Sequence, residues 1–189
     1  METADPGGRS RRTMTLEAFA DTIVPGEKRF PGDRTVAGAA PGPGAVEAGA
    51  LELLETPATG VTDGLDGYCE ALDEHATAYA EQHGLKPDDS VPPFVALDFE
   101  DRTAIVRWLT SPGHPEKDLW VLLALFCNMA FDTGAHLHTT EAIAAGHPGL
   151  ATMGFSSPDD DGLWRFPDFS YRRELAPRHP NTTSTGSPA

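Results

Sequence analysis

The sequence predicts an all-α fold, an irregular bundle of about five helices around a buried central helix. Apolar residues recur at helical spacing in several segments of the chain. One segment, residues 118–133, is apolar on nearly every side, as the innermost helix of a bundle would be. The 19 glycines and 17 prolines among 189 residues indicate that long irregular loops join the helices.

The expected central helix reads DLWVLLALFCNMAFDT. Eight apolar residues follow one another from 119 to 126, and the whole segment is longer than a usual strand. It is too short to cross a bilayer, which takes about 20 apolar residues. We expect Asp118 to cap this helix and Gly134 to end it.

The remaining helices are expected where apolar residues follow a period of 3.6. These segments are residues 15–24, 45–55, 61–83, 98–109 and 140–145. Thr15 is the expected cap of the first and Pro25 its end, while Asp98 is the expected cap of the fourth. In that fourth helix we assign Trp108 to the buried face, beside Ile105 and Leu109.

The chain divides into three expected parts. Residues 1–13 form a flexible basic arm, residues 14–176 a single helical domain with an aromatic C-terminal arm, and residues 177–189 a disordered tail rich in Pro, Ser and Thr. Within the domain, residues 25–43 contain repeated prolines and glycines and are expected to form a loop without regular structure.

The formal charge of −15 disfavours both nucleic acid and anionic lipid as partners. The segment Ser10-Arg11-Arg12-Thr13-Met14 looks like a twin-arginine export motif, but Glu17 and Asp21 interrupt the apolar stretch that should follow. We therefore expect a cytoplasmic protein without membrane insertion. Its two cysteines lie on apolar helical faces, which favours buried free thiols.

His136 and His138 are the candidate metal ligands of the sequence, with Glu141 nearby. No further ligand follows at a telling spacing, so no metal site is expected. The chain also has no serine-hydrolase signature, phosphate-binding loop or dinucleotide fingerprint between a strand and a helix. We therefore assign no catalytic or cofactor-binding residue to it.

A group of aromatic residues without helical spacing lies near the C-terminus, among prolines and glycines. Exposed aromatic side chains contribute a large share of binding energy at protein interfaces. The sequence therefore predicts partner binding by Phe155, Trp164, Phe166, Phe169 and Tyr171.

Four segments together resemble a known family. They are LEAFADTIVP at 16–25, PGAVEAG at 43–49, residues 94–109 with Asp101-Arg102, and Met153-Gly-Phe155. These segments and their order are similar to those of the small subunit, or subunit three, of gluconate 2-dehydrogenase. The resemblance implies a helical, non-catalytic accessory subunit that binds and stabilises a large oxidoreductase of the glucose-methanol-choline class. FAD would lie in that partner, and the composition of this chain suits specialised metabolism.

Two other hypotheses remain open at the level of sequence. The chain could be a small helical enzyme that uses His136, His138 and Glu141 for metal-assisted or acid-base chemistry, provided that these groups meet in a pocket. It could also be an interaction module that regulates a partner other than a flavoprotein.

Overall fold

The structure is a computed structural model, and it describes residues 10–155 and 180–181. The chain divides into two compact units, Met1–Phe155 and Ser156–Ala189, and the fold below is that of the first unit. All regular structure in the described residues is helical, which confirms the predicted all-α class. The helices are α1 (Arg11–Ile23), α2 (Ala50–Leu54), α3 (Leu65–His83), α4 (Pro93–Ala96), α5 (Phe99–Leu109), α6 (Lys117–Asp132), α7 (Thr139–Ala144) and α8 (Pro148–Met153).

The innermost helix of the bundle is α1. Every residue from 14 to 21 is buried, including the polar side chains of Thr15, Glu17 and Asp21. Helices α2 to α6 all pack against it. Because buried polar groups need hydrogen-bond partners, a helix with this sequence can lie at the centre only if the surrounding chain supplies them.

Helix α6 forms where the sequence predicts it, but it is not buried all round. It buries one face, formed by Trp120, Leu123, Cys127 and Ala130. Its opposite face carries apolar side chains that remain exposed to solvent. The prediction of α6 as the buried central helix is therefore wrong, since α1 has that position. None of the helices in the described ranges combines the length and apolar character needed to span a membrane.

The N-terminal boundary of α1 differs from the prediction. Ser10 is the N-cap, and its hydroxyl accepts a hydrogen bond from the Thr13 N–H at 3.1 Å. Residues 11–13 therefore belong to the helix and not to the arm, and Thr15 is buried inside it. Arg12 forms ion pairs with Glu55 at 3.0 Å and Asp66 at 2.9 Å, which ties the first turn to the second and third helices.

Proline and glycine account for the other differences at helix ends. The predicted helix over 45–55 is shortened to α2, because residues 45–49 form turns and Gly49 has a φ of 86°. Two short helices that periodicity did not predict, α4 and α8, begin at prolines, which are favoured in the first turn. The Asp98 cap of α5 is confirmed, with its carboxylate accepting from the Asp101 N–H at 2.9 Å.

The loop over residues 25–43 supplies partners for the two buried carboxylates of α1. Asp21 accepts hydrogen bonds from the N–H groups of Gly26, at 3.2 Å, and Ala37, at 2.8 Å. Burial raises the pKa of Asp21, and these two bonds oppose that change. Glu17 accepts from the Thr35 hydroxyl at 2.7 Å. The loop lacks regular structure, as predicted, and it is packed against the core.

Arg29 completes this network. Its guanidinium donates to both carboxylate oxygens of Glu17 at 2.8 Å and to Asp33 at 2.7 and 3.1 Å. Burial raises the pKa of Asp33, but hydrogen bonds from Arg29, Val36 N–H and Thr35 outweigh it and lower the value to about 2. The loop is thus fixed to α1 by charge-assisted hydrogen bonds, the stronger kind.

The two ends of the same loop meet at a pair of glycines. A Cβ atom on Gly26 would lie 2.5 Å from the Gly44 nitrogen, and one on Gly44 would lie 2.6 Å from the Gly26 nitrogen. The contact is closed by hydrogen bonds from Glu27 N–H to Gly42 O at 2.7 Å and from Ala45 N–H to Val24 O at 2.9 Å. Only residues without a side chain permit the two segments of the loop to approach this closely.

Arg102 of α5 joins the loop to the segment that follows α4. Its side chain is 3% exposed, and its guanidinium donates to four backbone carbonyl groups. The acceptors are Arg34 O, Thr35 O, Val95 O and Leu97 O, at 2.9, 2.9, 2.6 and 3.0 Å. Burial lowers the pKa of Arg102 to about 10, which leaves it charged at neutral pH.

Two leucines of α6 test the assignment of its faces. Leu123 is 2% exposed and Leu125 is 49% exposed. We expect Leu123→Asp to prevent soluble folding, because a buried charge without a partner costs several kcal/mol. Leu125→Asp should change the free energy of unfolding by about 0.5 kcal/mol or less. Soluble yield compares the two variants, and urea denaturation followed by circular dichroism measures whichever is soluble; equal yield and equal stability would contradict the assignment.

A second comparison tests the role of Arg102. Replacement by Met keeps much of the side-chain volume but leaves four buried carbonyl groups without their donor. We expect Arg102→Met to lower the free energy of unfolding by on the order of 3 kcal/mol. Arg107→Met on the exposed face of the same helix is the matched control and should cost less than about 0.5 kcal/mol. Similar losses in the two variants would show that Arg102 does not hold the loop.

Candidate functional site

A cleft of about 310 Å³ lies between α3 and α5. Three ring side chains of α3 line it, because His75, Tyr79 and His83 recur every four residues and so share one face of the helix. Trp108 of α5 lines the cleft as well, together with apolar groups that include Ile105. The sequence analysis missed this site, although the spacing of the three rings within the predicted helix over 61–83 was a usable signal.

One of the lining residues, His75, forms a pair with a carboxylate. His75 Nε2 lies 2.9 Å from Glu116 Oε2, and the indole N–H of Trp120 donates to that same oxygen at 2.8 Å. Hydrogen bonds from Trp120 and His75 lower the pKa of Glu116, so its carboxylate is charged at neutral pH. Since a carboxylate only accepts, neutral His75 carries its proton on Nε2 and keeps Nδ1 as an acceptor.

Trp108 contacts two imidazoles of this site. Its ring centroid lies 5.4 Å from that of His75 and 4.4 Å from that of His114, and both contacts are edge-to-face. We assigned Trp108 to the buried face of its helix, and that assignment is wrong because 54% of the residue is exposed. An exposed tryptophan at the border of a cleft is a common feature of binding surfaces.

A second carboxylate forms a hydrogen bond with the lining residue Tyr79. The Tyr79 hydroxyl donates to Asp101 Oδ1 at 2.9 Å, and this bond raises the pKa of Tyr79. The His83 ring stacks on Tyr79 with centroids 4.1 Å apart. The protons of Tyr79 and His75 are thus both directed to carboxylates.

His136 lies apart from this cleft. Its ring lies directly against Gly49, whose Cβ, if present, would be within 2.4 Å of Nε2. Burial lowers the pKa of His136, and its Nδ1 is buried without a hydrogen-bond partner. Its centroid is 5.9 Å from that of His147, a residue to which the sequence analysis gave no role. His147 Nε2 donates to Ala48 O at 3.0 Å, which fixes the start of α8.

His138 and Glu141 do not join His136 in a ligand set. Both are exposed, and His138 Nδ1 lies 2.9 Å from the Thr140 hydroxyl. Within residues 10–155 and 180–181, no three His, Cys, Asp or Glu side chains are grouped as a metal site requires. The hypothesis of metal-assisted chemistry at His136, His138 and Glu141 is therefore not supported by their placement.

The structure describes only one residue of the predicted aromatic partner-binding group. Phe155 follows α8 and is 49% exposed, as a docking residue would be. Trp164, Phe166, Phe169 and Tyr171 lie outside the described residues. Partner binding by this group stays a prediction.

The exposed side of α6 is the second candidate surface, here called the α6 apolar face. Val121, Leu122 and Leu125 are 42%, 38% and 49% exposed, and Met129 continues the same side in partly buried form. Residues 118, 121, 122, 125, 129 and 132 recur at the spacing that places side chains on one side of an α-helix. Asp118 and Asp132 therefore lie on this side, one at each end of the helix. The face is thus an apolar stripe with a carboxylate at each end.

Both cysteines are free and buried, as predicted. Burial raises the pKa of the Cys69 thiol and that of the Cys127 thiol to about 12. Because the thiolate is the reactive form, neither side chain is suited to nucleophilic or redox chemistry at neutral pH.

One family matches this chain. The chain belongs to the family described as "Family of unknown function (DUF5987)", which matches residues 10–189. No curated protein and no solved structure matches it. The class of protein defined here is therefore a helical member of that family, with an aromatic cleft and an exposed apolar helix face.

The tautomer of His75 tests the geometry of the cleft. In spectra recorded at about pH 8.5, long-range ¹H–¹⁵N correlations should show the neutral His75 ring protonated on Nε2. Removal of the acceptor in Glu116→Ala should return His75 to a mixture of tautomers. His114 is the internal control, because its Nδ1 accepts from the Glu116 backbone N–H at 3.2 Å and should not respond. An unchanged His75 spectrum would contradict the pairing.

Proposed function

We propose that this chain is a non-catalytic accessory subunit that binds and stabilises a large FAD-dependent oxidoreductase of the glucose-methanol-choline class. The α6 apolar face is the observation that carries the proposal. The resemblance of four segments to the small subunit of gluconate 2-dehydrogenase supports the choice of partner. FAD belongs to that partner, and the proposed complex is a cytoplasmic heterodimer.

The α6 apolar face has the composition of a docking surface. A helix on the outside of a bundle normally turns charged and polar residues to water. In α6 the side chains exposed to water on the outer side are instead those of Val121, Leu122 and Leu125. Grouped apolar exposure of this kind marks protein interaction sites more often than scattered single residues do.

The charges at the ends of the face favour a partner over a second copy of the chain. Asp118 and Asp132 are separated by about 21 Å along α6, at about 1.5 Å per residue. In a symmetric antiparallel pair of α6 helices, Asp118 of one copy would oppose Asp132 of the other. The net charge of −15 would add to that repulsion. The face therefore fits a hydrophobic surface of the partner flanked by Lys or Arg residues.

The face is the centre of an interface and not the whole of it. Full burial of a Leu or Val side chain contributes about 1.5–3 kcal/mol, so the exposed parts of three such residues contribute on the order of 3 kcal/mol. Stable complexes bury about 800 Å² on each partner. Contacts outside α6 must supply the remainder, and Phe155 with the other predicted aromatic residues is our candidate for them.

Affinity purification of the full-length tagged chain from its native cells tests the proposal. We expect a large second chain at equal stoichiometry, identified by mass spectrometry as a glucose-methanol-choline class oxidoreductase, and a flavin absorbance spectrum in the complex. The purified chain alone should be colourless. Absence of any flavoprotein, or flavin bound tightly to the isolated chain, would overturn the proposal.

Leu125→Asp tests the interface in the same experiment. Because residue 125 is exposed, the variant should fold and yet lose most of the captured flavoprotein, at least about tenfold in yield. Leu85→Asp is the matched control, since Leu85 is 38% exposed and follows α3. If Leu125→Asp captures the flavoprotein at full yield, the accessory function stands and the α6 apolar face is not where the partner binds.

A further inference from the structure

We propose that the cleft between α3 and α5 binds a small monovalent organic cation, an alkylammonium ion in particular. This inference is independent of the accessory function. It rests on three properties of the cleft, which are the rings in its lining, the absence of lysine and arginine side chains from that lining, and the hydrogen bonds that join two of the rings to carboxylates.

Half of the eight residues that line the cleft carry rings. Trp108 and Tyr79 face it from two helices, with His75 and His83 beside them. A cation within about 6 Å of an aromatic ring centroid is attracted by the negative face of the ring, and tryptophan gives the strongest attraction. With 54% exposure, Trp108 has most of its surface available for such a contact.

The hydrogen bonds of the rings favour a positive ligand. Tyr79 donates its proton to Asp101, and His75 Nε2–H points to Glu116. The protons of these two atoms are therefore engaged by carboxylates and are not available to an anionic ligand. An anion would find no lysine or arginine in the lining, whereas a cation would find aromatic rings.

The dimensions limit the ligand to a small one. A volume of about 310 Å³ is near the lower limit of the usual range for ligand pockets, about 300–1,000 Å³. Besides the rings and Gln82, the lining consists of apolar side chains such as Ile105 and Ala104, which suit alkyl substituents better than a strongly hydrated metal ion. The negative charge of the whole protein also raises the local concentration of cations.

Titration of the full chain with tetramethylammonium chloride tests the proposal. We expect a saturable shift of the Trp108 indole N–H signal in ¹H–¹⁵N NMR spectra. Sodium chloride at the same concentrations controls for ionic strength, and tert-butanol, an uncharged molecule of similar shape, controls for hydrophobic contact. Equal shifts with either control would overturn the inference.

Variants of Trp108 separate cation binding from general changes of structure. Trp108→Leu should raise the apparent Kd for tetramethylammonium by at least about tenfold, followed on backbone signals of α3, and Trp108→Phe should recover part of the affinity. Phe155→Leu is the matched control, because this exposed aromatic residue lies outside the lining of the cleft. If Trp108→Leu binds tetramethylammonium as tightly as the unchanged chain, the cleft is not the binding site.

Discussion

The burial of two carboxylates in α1 is the constraint on which the rest of this structure depends. Glu17 and Asp21 lie in the most enclosed helix of the bundle, where an unpaired charge would cost several kcal/mol. Backbone N–H groups of the loop, the Thr35 hydroxyl and the Arg29 guanidinium satisfy them. The loop is therefore a part of the core that happens to lack regular structure. Arg102 then joins the loop to α5, since its guanidinium donates hydrogen bonds to two carbonyl groups of the loop.

The order of burial among the helices explains how the candidate surfaces arise. Helix α1 takes the centre, so α6 packs on it with one side only. The apolar residues of the other side have no partner within the described residues and form the α6 apolar face. The cleft is lined by side chains of α3 and α5, which both remain in contact with α1. Both surfaces are consequences of a small bundle organised around a polar helix.

Periodicity and helix caps predicted most of the helices, but they did not predict which helix is the most buried. Hydrophobic runs identify a helix that must be covered, and residues 118–133 have the longest run of the chain. They do not show what covers it. Nothing in the sequence marked α1 as the central helix, because the partners of Glu17 and Asp21 are supplied by a loop whose path follows from tertiary contacts alone. Trp108 was misplaced for a related reason, since helical spacing does not tell which side of a short helix faces its neighbours.

The glycine contact at the ends of the loop has a consequence for the history of this sequence. A Cβ atom at either Gly26 or Gly44 would collide with the backbone of the other residue. A substitution at either position would therefore push the two loop segments apart and remove the hydrogen bond from Gly26 N–H to Asp21. A change at one site would have to await a rearrangement of the whole loop. The two glycines therefore restrict the divergence of this sequence, whereas an exposed position between them such as Gly32, with open space around it, is free to vary.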